Sequence, residues 1–132
     1  MIAHIQGKLV EKNPTDVVID CGGVGYHINI SLHTYSLLPN TDQIKLFTYL
    51  QVKEDAHTLF GFFEKSEREI FKMLLSVSGI GASIARTMLS SLEPKQIIQA
   101  IASGDVGTVQ SIKGIGLKTA QRVILDLQDK VL

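Results

Sequence analysis

Gly79-Ile80-Gly81 and Gly114-Ile115-Gly116 are the residues of this chain whose types and spacing imply chemistry. Each triplet lies in a longer pattern, apolar-x-Gly-Ile-Gly-x-x-x-Ala-x-x-apolar-apolar. The two copies, Val77–Leu92 and Ile112–Leu127, repeat at an offset of 35 residues, Gly79 to Gly114. Two glycines one residue apart let the backbone turn sharply and leave no Cβ in the way of a close neighbour. The isoleucine between them anchors the turn in the core. The second glycine, Gly81 or Gly116, opens a helix whose first amides have no partner within the helix. Those amides, with the positive end of the helix dipole, favour an anion such as phosphate. One copy alone fits a ligand-free helix–helix turn equally well, whereas two copies in register favour phosphate binding.

The candidate contacts are Gly79, Gly81 and Ser83 in the first copy and Gly114, Gly116, Lys118, Thr119 and Arg122 in the second. The copies differ in charge. Lys113, Lys118 and Arg122 align with Ser78, Ser83 and Thr87, leaving Arg86 as the basic side chain that can compensate in the first. Ala85 and Ala120 are small enough for the helices of each hairpin to pack closely. Other phosphate loops do not fit. Leu117 stands where a Walker loop needs the glycine before its lysine, and neither triplet has the third glycine or preceding strand of a dinucleotide site. His4, His27, His33 and His57 lack metal-ligand spacing and read as strand or surface residues. Neither a metal, a cofactor nor a catalytic residue is expected.

The charge pattern agrees with a binding face in the second half. Overall the charges cancel, 13 basic against 13 acidic, which argues against a crude basic clamp. Residues 1–64 hold four lysines against seven acids, a balance of −3, and residues 65–132 hold nine basic residues against six acids, +3. No apolar run approaches membrane-spanning length, and the N-terminus lacks the succession of a signal peptide, so a cytoplasmic protein is expected. The lone Cys21 suits that compartment and reads as a buried small hydrophobe.

Two textures must position these residues. Up to about residue 63 the period is two, as where Tyr26, Ile28 and Ile30 alternate with His27, Asn29 and Ser31. Strands are expected at Ile2–Val10, Val17–Cys21, Tyr26–Ser31, Ile44–Lys53 and Thr58–Phe63, with Gly22-Gly23 as a hairpin turn. Five short strands suggest a small closed barrel over residues 1–63. From Glu64 the texture is helical. Ser66-Glu67-Arg68-Glu69 reads as a capping box ahead of an apolar stripe of Ile70, Phe71, Leu74, Leu75 and Val77. Pro94 suits the first turn of a helix carrying Ile97, Ile98 and Ile101. Asp105 is placed to cap a short helix ending near Ser111, and a last helix spans Leu117 to Lys130. The fold class is therefore α+β, with an all-α domain over residues 64–132.

The repeat is that of the helix-hairpin-helix superfamily, and the chain resembles the RuvA family of Holliday-junction-binding proteins along its whole length. The resemblance includes Gly22-Gly23-Val24-Gly25-Tyr26, Lys53-Glu54-Asp55-Ala56 ahead of Leu59-Phe60-Gly61-Phe62, and both hairpins. It implies an OB-fold barrel followed by the helical domain, assembled as a homotetramer or, on the junction, an octamer. It implies a four-way junction held open and flat, with each subunit gripping one duplex arm through minor-groove phosphates. By position Glu54 and Asp55 correspond to the family's acidic pin; without the resemblance they read as a solvated turn. Family members continue into a third domain that binds the RuvB motor, whereas this sequence stops at Leu132, so either it is a fragment or that function is absent. A RuvC-type resolvase is a further implied partner. Many family members carry a lysine where this chain has Ser83, so contact there rests on backbone amides and a hydroxyl.

Two other classes use the same hairpin. A glycosylase needs a catalytic aspartate downstream; Asp126 and Asp129 follow the second hairpin but read as solvated helix residues. An accessory module of a repair nuclease needs only a protein-binding surface.

Overall fold

Alternation turns one face of each early segment inward and builds a barrel. The computed structural model describes residues 1–132. Strands β1 (His4–Lys12), β2 (Asp16–Cys21), β3 (Val24–Ile30), β4 (Gln43–Val52) and β5 (His57–Phe62) close in the order β1-β2-β3-β5-β4. All pairings are antiparallel except β3 with β5. Ile5, Val17, Ile19, Ile28, Ile30, Ile44 and Leu46 fill the interior. Gly61 is required there, since a Cβ would lie 2.5 Å from Ile28 Cγ2. The first strand runs two residues later than its alternation suggests. A bulge between Leu9 and Glu11 lets pairing with β2 continue to Lys12 and leaves Val10 half exposed. The β2–β3 turn is Gly22-Gly23 as expected, with φ of +62° and +99°. Cys21 is only half buried, because the strand end leaves it at the rim, where its thiol donates to the Gln6 carbonyl at 3.2 Å.

The helix α1 (Leu32–Leu37), between β3 and β4, has no counterpart in the sequence reading. Ser31 caps it, its hydroxyl accepting from the Thr34 amide at 3.0 Å. The same two side chains also hold a residue of the second helix. Helix α2 (Lys65–Leu75) starts at Lys65, so Ser66 is already helical and is not its cap. Glu69, expected to reach back to the cap, lies 3.8 Å from Lys72 Nζ, and Glu67 turns inward and is fully buried. It accepts from the Ser31 and Thr34 hydroxyls, while Thr34 Oγ1 accepts from the Phe63 amide at 3.1 Å. Burial pushes the Glu67 carboxyl above the usual range, opposed by the two hydroxyl hydrogen bonds. Arg68 completes the anchor, donating to the Ala3 carbonyl at 2.9 Å with its guanidinium 5.6 Å from the Phe47 ring. The chain divides into two compact units, Met1–Arg68 and Glu69–Leu132.

The second unit holds the rest of α2, then α3 (Ala82–Ser91), α4 (Pro94–Ser103), α5 (Val106–Gln110) and α6 (Leu117–Val131). Pro94 occupies the first turn of α4, behind a capping box of Glu93 and Gln96. Asp105 caps α5 as expected; the Thr108 hydroxyl and amide hold its carboxyl below the usual range. Helix α6 packs on α4 and α5, and Gln128 Nε2 donates to the Ala102 carbonyl at 3.2 Å. Val77, Ile80, Ala85, Met88, Ile97, Ile101, Ile112, Ile115, Ala120, Val123 and Leu127 are buried. No helix is long and apolar enough to cross a membrane.

Candidate nucleic-acid interface

The two Gly-Ile-Gly segments fold alike. Each lies between two helices, α2 and α3 for the first hairpin, α5 and α6 for the second. In each, the isoleucine amide donates to the carbonyl three residues earlier, Ile80 to Val77 and Ile115 to Ile112, both at 3.1 Å. Ile80 and Ile115 are buried as anchors, and Ala85 and Ala120 are fully buried at the helix contacts.

The glycines divide the work more sharply than their symmetry in sequence suggests. Gly79 and Gly114 take φ of +95° and +91°, the left-handed region where a side chain is strained. Gly81 and Gly116 have φ of −93° and −87°, open to any residue, and a Cβ on either would meet nothing within 4 Å. The sharp turn therefore comes from the first glycine only. The second forms the N-cap of α3 or α6, with no side-chain cap on the amides that follow. Both helix starts thus present orphan amides and dipole ends beside unfilled space, and a Cβ there would stand in the path of an approaching anion.

The charged side chains follow. Lys113, Lys118 and Arg122 are all exposed. Lys118 is the second residue of α6, and Arg122 lies one turn on. Arg122 Nε is 3.5 Å from Asp126 Oδ2, so its charge is partly shared and Asp126 is a surface ion-pair partner. Asp129 is exposed. In the first hairpin Ser83 is exposed, whereas the Thr87 hydroxyl donates back to the Ser83 carbonyl at 3.0 Å. Arg86, three residues beyond Ser83, is half buried. Thr119 is half buried beside Gly79 of the other hairpin, a contact that its spacing from Gly116 does not reveal.

Glu54 and Asp55 lie in the other unit. Lys53 and Ala56 exchange backbone hydrogen bonds of 2.8 and 3.4 Å, leaving the two acids as the exposed loop of the β4–β5 hairpin. Neither carboxylate has an ion-pair partner. The histidines serve the surface: His27 pairs with Asp16 at 3.2 Å and His33 with Glu64 at 3.3 Å. No group of three or more His, Cys, Asp or Glu is arranged to hold a metal ion.

Comparison with known proteins follows the same two-part division. The RuvA N terminal domain matches residues 1–61, and the SAM-like helix-hairpin-helix tandem matches residues 71–129. The Holliday junction branch migration complex subunit RuvA of Flavobacterium psychrophilum is 79% identical over 132 residues, 100% of this chain and 68% of its own length. The protein of the same name from Christiangramia forsetii is 67% identical over the same 132 residues, again 68% of its length. That of Bacteroides thetaiotaomicron is 50% identical over 131 residues, 99% of this chain and 65% of its own length. With a closed barrel, a tandem of hairpins and identity of this extent over its whole length, the chain belongs to the RuvA family.

Proposed function

We propose that this chain binds four-way (Holliday) DNA junctions without sequence preference, as the non-catalytic DNA-holding subunit of a branch migration complex. It holds the junction open and flat for a RuvB-type motor during recombination and repair. The observation that carries this reading is the pair of uncapped helix starts at Gly81 and Gly116, each beside open space. Backbone amides reading phosphates carry no sequence information, so such a grip is indifferent to bases. The names of the relatives supply the junction and the branch migration complex. Gly79, Gly81, Ser83, Gly114, Gly116, Lys118 and Arg122 form the grip, with Thr119 supporting it from the seam between hairpins. Assembly as a homotetramer, or as an octamer around the junction, and cooperation with a RuvC-type resolvase belong to the same proposal.

Glu54 and Asp55 act in this reading as the acidic pin. Each copy adds two exposed carboxylates to the centre of the assembly. At separations of about 8 Å a like-charge pair costs only ~0.5 kcal/mol in bulk water, but the sum over many pairs becomes substantial. A continuous duplex laid across that centre meets the full repulsion, whereas a junction leads its separated strands around it.

Mobility-shift titration of four-way junctions of unrelated sequence, and of linear duplexes of matching composition, tests both statements. Junctions should bind alike and more tightly than duplex. Replacing Glu54→Gln with Asp55→Asn should strengthen duplex binding more than junction binding, with a gain that shrinks as salt rises. A strong dependence on arm sequence overturns the grip. An unchanged junction-to-duplex ratio in the double mutant reduces the acids to a solvated turn.

A further inference from the structure

Ile84 and Thr119 are each the third residue of their helix, α3 and α6, and correspond to one another under the repeat. Neither comes within 4 Å of where a Cβ on its own hairpin's turn glycine would stand. A Cβ at Gly114 would lie 3.1 Å from Ile84 Cδ1, and one at Gly79 would lie 3.7 Å from Thr119 Oγ1. Each hairpin therefore lays its third helical residue over the first glycine of the other. A contact in which i meets j′ and j meets i′ is the mark of a twofold relation, here between the two halves of one chain. The pair is uneven. Ile84 fills its side to the point where a Cβ at Gly114 is crowded, whereas Thr119 leaves ordinary contact distance at Gly79.

We propose that Ile84 and Thr119 are positioning residues that set the separation of the two phosphate grips, Ile84 the more strongly. This rests on the phosphate reading given above. Antiparallel strands are themselves related by twofold axes, and a twofold protein element meets equivalent points on each. Two linked sites reinforce one another only when geometry lets both engage at once, so a small change in their separation removes the gain without touching either site. The first grip, which has a serine where the second has Lys118, is the one expected to let go.

Ile84→Val removes Cδ1, the atom facing Gly114, and little else. It should fold with a thermal midpoint close to that of the natural chain and bind four-way junctions roughly three- to tenfold more weakly. Phosphate-ethylation interference should fade on the strand held by the first hairpin and persist on the other. The salt slope should stay unchanged, because Lys118 and Arg122 remain engaged. Gly81→Val, which obstructs the first grip, should weaken the natural chain but add little in the Ile84→Val background. Unchanged affinity and interference in Ile84→Val overturn the positioning role, as does an equal loss on both strands with a lowered midpoint, which marks ordinary structural support. If Gly81→Val and Gly116→Val leave junction binding intact in the natural chain, the phosphate reading itself falls and the proposal with it.

Discussion

The two hairpins share a backbone and differ in what they wear. Both turns have a left-handed first glycine, a buried isoleucine and an uncapped helix start at an extended second glycine. Yet the second hairpin exposes Lys113, Lys118 and Arg122 where the first has Ser78, Ser83 and Thr87, and Thr87 is turned back on its own helix. Turn geometry and electrostatics are thus separable. Glycine, the apolar anchors and the partner hairpin hold the turn, and none of these depends on the charges at the helix starts. A hairpin can lose its cations and keep its shape.

The largest effects should come from the shared part. At Gly116 a Cβ would meet nothing within 4 Å and the backbone is allowed, so Gly116→Val should fold normally while weakening junction binding on the order of 100-fold, about 2.7 kcal/mol. Gly114→Ala meets both a φ of +91° and the crowding of Ile84, and should lower folding stability by about 1–3 kcal/mol. Denaturant unfolding read beside junction titration separates the two. If Gly116→Val destabilises the fold as much as Gly114→Ala, the division of labour between the glycines is wrong.

The next effect tests the difference. Lys118→Ala should weaken binding on every sequence and reduce the salt slope by about one unit for the lost contact. Ser83→Ala should leave that slope in place, since a hydroxyl releases no counterion. Equal changes in both would erase the asymmetry. Ser83→Lys offers the reverse, adding about one unit to the slope and raising affinity several-fold at low salt. An unchanged slope would show that the first helix start does not face a phosphate.

The smallest effect concerns the ion pair. Asp126→Asn releases Arg122 from its surface partner, and exposed pairs of this kind are worth about 0.2–1 kcal/mol. Junction affinity should rise by no more than about fivefold, with a slightly steeper salt dependence. A loss of affinity would show that Asp126 holds Arg122 in its binding pose, so that the second hairpin depends on more than its own cations.

What the amino-acid order determined by itself was everything written within a few residues or in exact repetition. Alternation from Tyr26 to Ile30 marks a half-buried strand, though the expected strand includes Ser31, and five such segments imply the barrel, because a period of two leaves one face to bury. The 35-residue offset marked both hairpins, and Asp105 and Pro94 announced their helices. Tertiary structure alone decided what those local signals left open. Ser66 and Glu69 looked like a capping box, but the helix begins one residue earlier, at Lys65, and Glu67 between them turns inward to Ser31 and Thr34, more than thirty residues away, whose hydroxyls satisfy its buried carboxyl. The same Ser31 started a helix that its neighbours in sequence do not announce. Gly79 and Gly81 look equivalent in a motif, and only the backbone angles show that one makes the turn and the other leaves room. Thr119 reads as one more residue at a helix start until Gly79 is seen beside it. For Glu67 and Thr119 the deciding partner lies far along the chain, and distance along the chain carries no trace of distance in space.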